Sequence, residues 1–440
     1  MTSKPIFLII FLALLTRLLQ AQTEPIILSL PEALELGNTN NLTLQQQIDR
    51  VNQAVSQLSA QKTSYFPKLT AGGFFNYVSS IPELNLPLGP TGSDPAEVKI
   101  YDVNISLQQP LFTGLRTHHL IQSAREEVKT SESQLQNLHQ QIAYQICNLY
   151  YLAQLTQLQQ QVLESSLKRS LNNLKLSKNL LKAGQARSID TLNVSNQAFK
   201  IKTQLNKNGH DYDLILIQLE HVVNKSPIDG IQPYEEQDIQ LVLENLQIYL
   251  NMALENRPEL NQVQHQIQGQ QYRKKSIQSG YYPQLYAQAS FHYLYPDVQI
   301  LKQQWTDLYF IGINLQWEPW NWGRRKHEVH QISYTINQLN TEHEKQIQAI
   351  RNEVKQAYKN LQSDRDQVLL TRRLLKQEND RYKIIQNQYI QGLATTIDLN
   401  DAEIALTAAD LQLQQAQINW LQDQAFLAYV TGKINTHYQP

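Results

Sequence analysis

Polar and apolar positions alternate along this chain in two rhythms, and the switch between them marks out its parts. From Leu69 the period is two: Leu69, Ala71, Gly73, Phe75 and Tyr77 share one face, and Thr70, Gly72, Phe74, Asn76 and Val78 share the other. A second run sets Tyr101, Val103, Ile105 and Leu107 against Asp102, Asn104, Ser106 and Gln108. These read as strands over about 69–78 and about 100–109. Ser79–Ala96, between them, holds five proline and glycine breaks from Pro82 to Gly92 and a sixth at Pro95, which predicts a loop.

After Pro110–Gly114 the steps become three and four. Leu135, Leu138, Ile142, Leu149, Leu152, Leu163, Leu167, Leu171 and Leu174 form the stripe, and neither proline nor glycine interrupts Leu115–Lys182. This predicts one helix over about 115–183, roughly 100 Å long, too long for a single globular core but suited to a coiled coil or a helical tube. Its polar positions carry Gln, Asn and Ser more often than charge, as a water-lined wall would. Gly184 ends the helix, and another runs from about Ile189, with a break expected at Asn208-Gly209 and resumption over Tyr212–Val223. Near the start, Ser29-Leu-Pro-Glu32 has the spacing of a capping box. A short helix is expected from it to about Leu36, an interruption at Gly37-Asn38, and a further helix over Leu42–Ser64.

The chain then repeats itself. Met252–Leu260 answers Glu32–Leu44, and Gly280–Leu285 answers Ser64–Leu69. Alternation returns over about 285–295 and about 308–318. Pro319–Gly323 answers Pro110–Gly114, and a second long helix over about 324–391 carries the stripe Val329, Ile332, Ile336, Leu339, Ile347, Ile350, Val354, Ala357, Leu361, Val368 and Leu375. Gly392 answers Gly184, so the turn at 392–398 answers the turn at 184–190, and a last helix runs over about 397–430. The expected organisation is two structural repeats, 22–225 and 246–440, joined by a proline-bearing connector at 226–245.

Composition narrows the reading. Net charge is −1 with no Lys/Arg block, so nothing points to a nucleic-acid partner. The single Cys147 excludes an intramolecular disulfide. No catalytic fingerprint and no metal-ligand spacing is present, and no cofactor is expected. Lys4, the apolar run Pro5–Leu15 and Leu19-Gln20-Ala21 predict a secretory signal peptide over 1–21. Mean hydropathy is −0.45. That does not argue against a membrane, because barrel strands hide their apolar face by alternation.

Two strands per repeat make four per chain. Four strands cannot close a barrel, and open edges have no hydrogen-bond partner in lipid, so several chains are expected to share one barrel. Aromatics gather where helices meet strands (Tyr65, Phe66, Phe112, Tyr281, Tyr282, Trp317, Trp320, Trp322). A second group lies near the loop ends (Tyr77, Tyr101, Tyr293, Tyr295, Trp305, Tyr309). The two bands fit interfacial girdles against outer-membrane lipid.

In this order and spacing, the steps YFPKL and YYPQL, QPLFTGLR and EPWNWGRR, the segment ALENRPEL, and the paired turns GQARSIDTLN and GLATTIDLND resemble the TolC-type outer-membrane efflux family over nearly all of the mature chain. The resemblance implies an α+β membrane protein that works as a homotrimer. It would have a twelve-stranded transmembrane β-barrel in the outer membrane of a Gram-negative cell, a long periplasmic α-helical barrel, and an equatorial domain. It also implies a passive exit duct, for efflux or type I secretion. Its partners would be a periplasmic adaptor (membrane-fusion) protein and an inner-membrane transporter of RND, MFS or ABC type.

In that family the turns form the periplasmic aperture. Carried over by position, Asp190, Asp398 and Asp401 are the acidic ring candidates and Tyr389 the aromatic one. The slot two residues after Gly392, arginine in the best-known member, is Ala394 here, and the only arginine in either turn is Arg187. Gly184, Gly392, Ser188 and Thr395 shape the turns for adaptor docking. Ser188 and Thr395 also read as helix N-caps, so Asp190 and Asp398 have a competing role as capping acids. The rivals are a peripheral coiled-coil scaffold without channel activity and an envelope hydrolase on a helical stalk.

Overall fold

The structure, a computed structural model, describes residues 26–79, 98–234, 241–295 and 304–434. The expected signal peptide, nearly all of the expected loop at 79–96 and part of the connector lie outside the described residues. In chain order the elements are β1 (Ile27–Leu28), α1 (Leu30–Asn40), α2 (Leu42–Lys62), β2 (Lys68–Val78), β3 (Val98–Phe112), α3 (Arg116–Lys182) and α4 (Ser188–Val223). They continue with β4 (Gly230–Ile231), α5 (Leu246–Asn256), α6 (Pro258–Gln278), β5 (Gln284–Tyr295), β6 (Thr306–Gln316), α7 (Arg324–Ile390) and α8 (Thr396–Val430). α2 and α6 are each 21 residues long and each ends in a 3-10 turn, Thr63–Tyr65 and Ser279–Tyr281. α3 and α7 are each 67 residues long.

Two expected breaks are absent. α1 runs through Gly37, which lies against Ile146 where a β-carbon would have no room. The interruption falls at Asn41 instead. Its Oδ1 accepts from the N–H groups of Thr43 and Leu44, while its Nδ2 donates to the Val222 carbonyl at 2.7 Å. α4 likewise runs through Asn208-Gly209, because Asn208 Nδ2 donates to the Thr156 carbonyl at 2.7 Å and its side chain is buried. At Gly37 a close contact with Ile146, and at Asn208 a tertiary hydrogen bond, outweighs the local preference of Asn and Gly for a turn. At Ser29 the capping box forms as read, with the Glu32 carboxylate accepting from the Ser29 N–H at 2.8 Å.

The described residues fall into two compact units. One, within Asp49–Gln134 and Glu259–Lys345, holds an antiparallel sheet in the order β2-β3-β5-β6. Opposed residues of an antiparallel pair stand on the same face, so register decides what each face is made of. One row across the four strands reads Leu69, Leu107, Ala289 and Ile311, and the next reads Ala71, Ile105, Phe291 and Tyr309. The opposite face carries Gly72, Asn104, His292 and Leu308 in one row and Lys68, Gln108, Gln288 and Gly312 in another. The apolar face is bare: Ile311 is 87% exposed and Ile313 70%. On the other face Asp102 is buried, and its carboxylate lies 3.0 Å from His292 Nδ1. β2 and β6 each have one paired side, leaving two open edges.

The other unit comprises the described residues up to Ile48, Leu135–Pro258 and those from Gln346 on. β1 and β4 pair in parallel beside a core of Ala33, Leu34, Leu44, Ile146, Cys147, Ala153, Leu219, Val223, Ile418 and Ala425. The long stripes are buried unequally. On α7, Ile350, Val354, Ala357, Leu361 and Val368 are buried as expected. Toward the end of α3 the expected Leu171 is exposed, and the buried positions are Ser166, Ser170, Asn173 and Ser177. Their 4-3-4 spacing is helical too, but the side chains are small and polar, and for most of them hydrogen bonds replace apolar packing.

Candidate functional site

Each long helix ends in the same backbone device. At the first turn the Gly184 N–H donates to the Leu181 carbonyl at 3.0 Å, and the Gln185 N–H to Leu180 at 2.8 Å. At the second, Gly392 donates to Tyr389 at 3.1 Å and Leu393 to Gln388 at 2.8 Å. These are the paired bonds of a Schellman end, which places its glycine in the left-handed region. The φ angles are +73° and +75°. A β-carbon at either glycine would meet nothing within 4 Å, so backbone angle and not crowding calls for glycine.

After each glycine an acid restarts the chain as helix. Asp398 closes a capping box: its Oδ2 accepts from the Thr395 N–H at 2.8 Å and from the Thr395 hydroxyl at 2.7 Å, while the Asp398 N–H donates back to that hydroxyl at 3.2 Å. At the first turn the N-cap is Arg187, not Ser188, which is exposed in the first helical position. Asp190 Oδ2 accepts from the Arg187 N–H at 3.0 Å and from its Nε at 3.1 Å, and Oδ1 accepts from Nη2 at 3.2 Å. The Arg187 guanidinium and N–H hold the Asp190 carboxyl below its ordinary value of 3.8, and Asp190 in turn raises Arg187. The Thr395 hydroxyl and N–H do the same for Asp398. Because both folded-state values are lowered, both caps are intact above the ordinary carboxylate range and are lost only as pH falls below it.

Arg187, Asp190, Tyr389, Gly184, Gly392 and Thr395 line one cavity of about 760 Å³, so the two turns, two hundred residues apart in sequence, are neighbours. Tyr389 is buried: its ring packs with Tyr382, Leu399, Ala402 and Leu406, and its hydroxyl lies 3.3 Å from that of Thr396. Asp398 and Asp401 stand outside that cavity and are exposed. Asp401 accepts no hydrogen bond among the described residues, so of the three acids it has the carboxylate least committed to its own backbone. Among the aromatics read as interfacial, Phe112, Tyr281, Tyr282, Trp317, Trp320 and Trp322 are all exposed. Trp317 Nε1 donates to the Tyr281 carbonyl at 3.1 Å, tying the end of β6 to the end of α6.

One constellation has no local sequence signal. Glu403 of α8 is 2% exposed. Its carboxylate accepts from Arg169 Nε at 2.9 Å and from the Ser166 hydroxyl at 2.9 Å, and the Thr407 hydroxyl lies 2.8 Å from that of Ser166. The Arg169 guanidinium stands 6.0 Å from the Tyr382 ring, whose hydroxyl accepts from Asn173 Nδ2. The partners lie more than 230 residues apart in sequence, and nothing near Glu403 announces that it is paired.

The model of the outer membrane efflux protein family matches residues 34–225 and 249–433. No curated protein sequence matches. Among solved structures, the chain is similar to CusC at 16% identity and a TM-score of 0.79, covering 93% of this chain and 94% of that one. It is similar to the outer-membrane channel OprN at 14% and 0.78, covering 93% and 91%. It is also similar to the outer membrane protein VceC of Vibrio cholerae at 15% and 0.75, covering 92% and 96%. At these identities the structural likeness establishes the fold.

Proposed function

The chain belongs to the outer membrane efflux protein family, the exit ducts of efflux systems in the outer membrane, and on that premise we propose how its parts build such a duct. Three copies join edge to edge, β6 of one to β2 of the next, and close a twelve-stranded barrel. The observation that carries this reading is the sheet itself: one bare apolar face, one polar face and two unpaired edges. Lipid suits the first face and water the second, and only pairing with another chain satisfies the edges. Exposed Phe199, Leu214 and Ile217 on α4, and Leu370 and Ile384 on α7, supply apolar surface for packing between copies. α3 and α7, each about 100 Å long, line the periplasmic tunnel. A periplasmic adaptor docks at the Gly184 and Gly392 turns and links the duct to an inner-membrane transporter. A coiled-coil scaffold has no use for the sheet's bare apolar face, and that alternative is set aside.

Within the aperture, Asp401 is the acid that acts on passing ions. Three copies form a negative ring, and such a ring favours cations where a pore is narrow. Asp190 and Asp398 serve their helix starts, and Arg187 serves Asp190. Single-channel recording of the reconstituted protein tests this assignment. Asp401→Asn is expected to weaken cation selectivity and block by multivalent cations. Asp398→Asn is expected to lower thermal stability with selectivity unchanged. An unaltered current–voltage profile in Asp401→Asn would remove the ring from the proposal.

A further inference from the structure

α7 and α8 carry a pair of carboxyl groups with no basic companion. Asp364 of α7 and Asp423 of α8 stand together at a polar cleft of about 260 Å³, lined also by Asn360, Ser363, Asn419 and Gln422. Neither forms an ion pair with Lys, Arg or His among the described residues. The nearest arginine in sequence, Arg365, is held by Asp366 at 3.1 Å. From α3, the groups that face the pair are the Tyr144 phenol and Asn148, whose Oδ1 accepts from Gln422 Nε2 at 2.9 Å. The phenol is neutral at any physiological pH, since burial and then Asp423 raise it above its ordinary value of 10.0. Among the described residues, therefore, no cation neutralises the two carboxyls.

Two ionised carboxylates have only acceptors to offer each other; a hydrogen bond between them exists only while one carries a proton. We propose that Asp364 and Asp423 form a proton-dependent clamp between α7 and α8, closed while the pair shares one proton and opened by repulsion when both ionise. α7 and α8 flank the Gly392 turn, so the clamp governs how firmly the hairpin that carries this turn is held together. The clamp is read from these two helices alone and does not depend on how many copies share the duct.

The proton is available at physiological pH. Burial, and after it the hydrogen bond and charge of Asp364, push Asp423 up to about 7, and burial also raises Asp364. The sign follows from linkage: the folded state keeps a proton that the unfolded chain, with ordinary carboxyl values, has already lost. The stabilisation is therefore complete below the ordinary carboxyl value of 3.8, declines as pH rises from there, with the folding equilibrium falling up to about tenfold per pH unit for the one proton involved, and is gone once pH has passed about 7.

The test is the thermal midpoint of the full-length, detergent-solubilised protein as a function of pH, with the infrared carbonyl stretch of protonated carboxyls as a second readout. The wild type is expected to lose stability between about pH 4.5 and about pH 7.5 and to level off above that. In Asp423→Asn the amide donates to Asp364 without any proton, so this pH dependence and the associated carbonyl band both disappear. Asp364→Asn is the mirror variant and is expected to behave the same way. A wild type with a flat profile, or retention of both the slope and the band in the two variants, would overturn the clamp.

Discussion

Gly184 and Gly392 show what a single residue contributes. Each lets a 67-residue helix stop within one peptide, by taking a φ that an L side chain resists. Because a β-carbon there meets nothing, the cost of substitution is the backbone angle alone. Gly392→Ala is expected to destabilise by about 1 kcal/mol without altering oligomer formation, read as a lowered thermal midpoint. Glu403 shows the opposite dependence, on distant partners. Glu403→Ala leaves the Arg169 guanidinium partly buried and unpaired, and an expected loss of about 3 kcal/mol follows. Glu403→Gln keeps an acceptor for Arg169 and Ser166 and is expected to cost clearly less in the same denaturation experiment. Glycine's role could be read from its place at the end of a helical pattern. Nothing in the sequence around Glu403 marks it, since Arg169 and Ser166 enter from the other repeat.

At the scale of elements, periodicity proved a good guide wherever one face alone had to be buried or shielded. β5 and β6 begin and end within two residues of expectation, and α3 and α7 span nearly the intervals that the absence of proline and glycine marked out. It failed at Gly37 and Asn208, where a neighbouring helix supplied a close contact or a carbonyl acceptor and the helix carried on. It also failed along the lower part of α3, where serines and not leucines face inward. The sheet gives the sharpest element-level expectation. Ile311→Arg, on the bare apolar face, is expected to cost about 2–4 kcal/mol if that face meets the centre of the bilayer, and to reduce the yield of heat-resistant oligomer on gels. Asn314→Arg, on the opposite face of the same strand, is expected to assemble normally.

At the scale of the whole molecule, one chain is an unfinished object. Its sheet has two edges, and its helices expose leucine, isoleucine and phenylalanine that a monomer would bury. Cysteines introduced along β2 and along β6 in the same chain are expected to cross-link between copies and yield a covalent trimer on non-reducing gels, with dimer as the partial product. Native Cys147 will not interfere, because it is buried and burial pushes its thiol up to about 12. A ladder ending at dimer or at tetramer would replace the twelve-stranded count.

Alternation and helical spacing are short-range properties, set by how side chains project from a strand or a helix. For that reason the sequence by itself determined the two kinds of element, their doubled order, the apolar face of the strands, and the glycine and Asp398 that shape the second turn. The tertiary structure decided what depends on residues far apart in the chain. It pairs β3 with β5 across the repeat boundary, buries Tyr389 within its hairpin, commits Arg187 to Asp190, and sets Arg169 against Glu403 and Asp364 against Asp423. Each of these is a matter of which side chains the fold brings within hydrogen-bond reach, and no local pattern encodes that proximity.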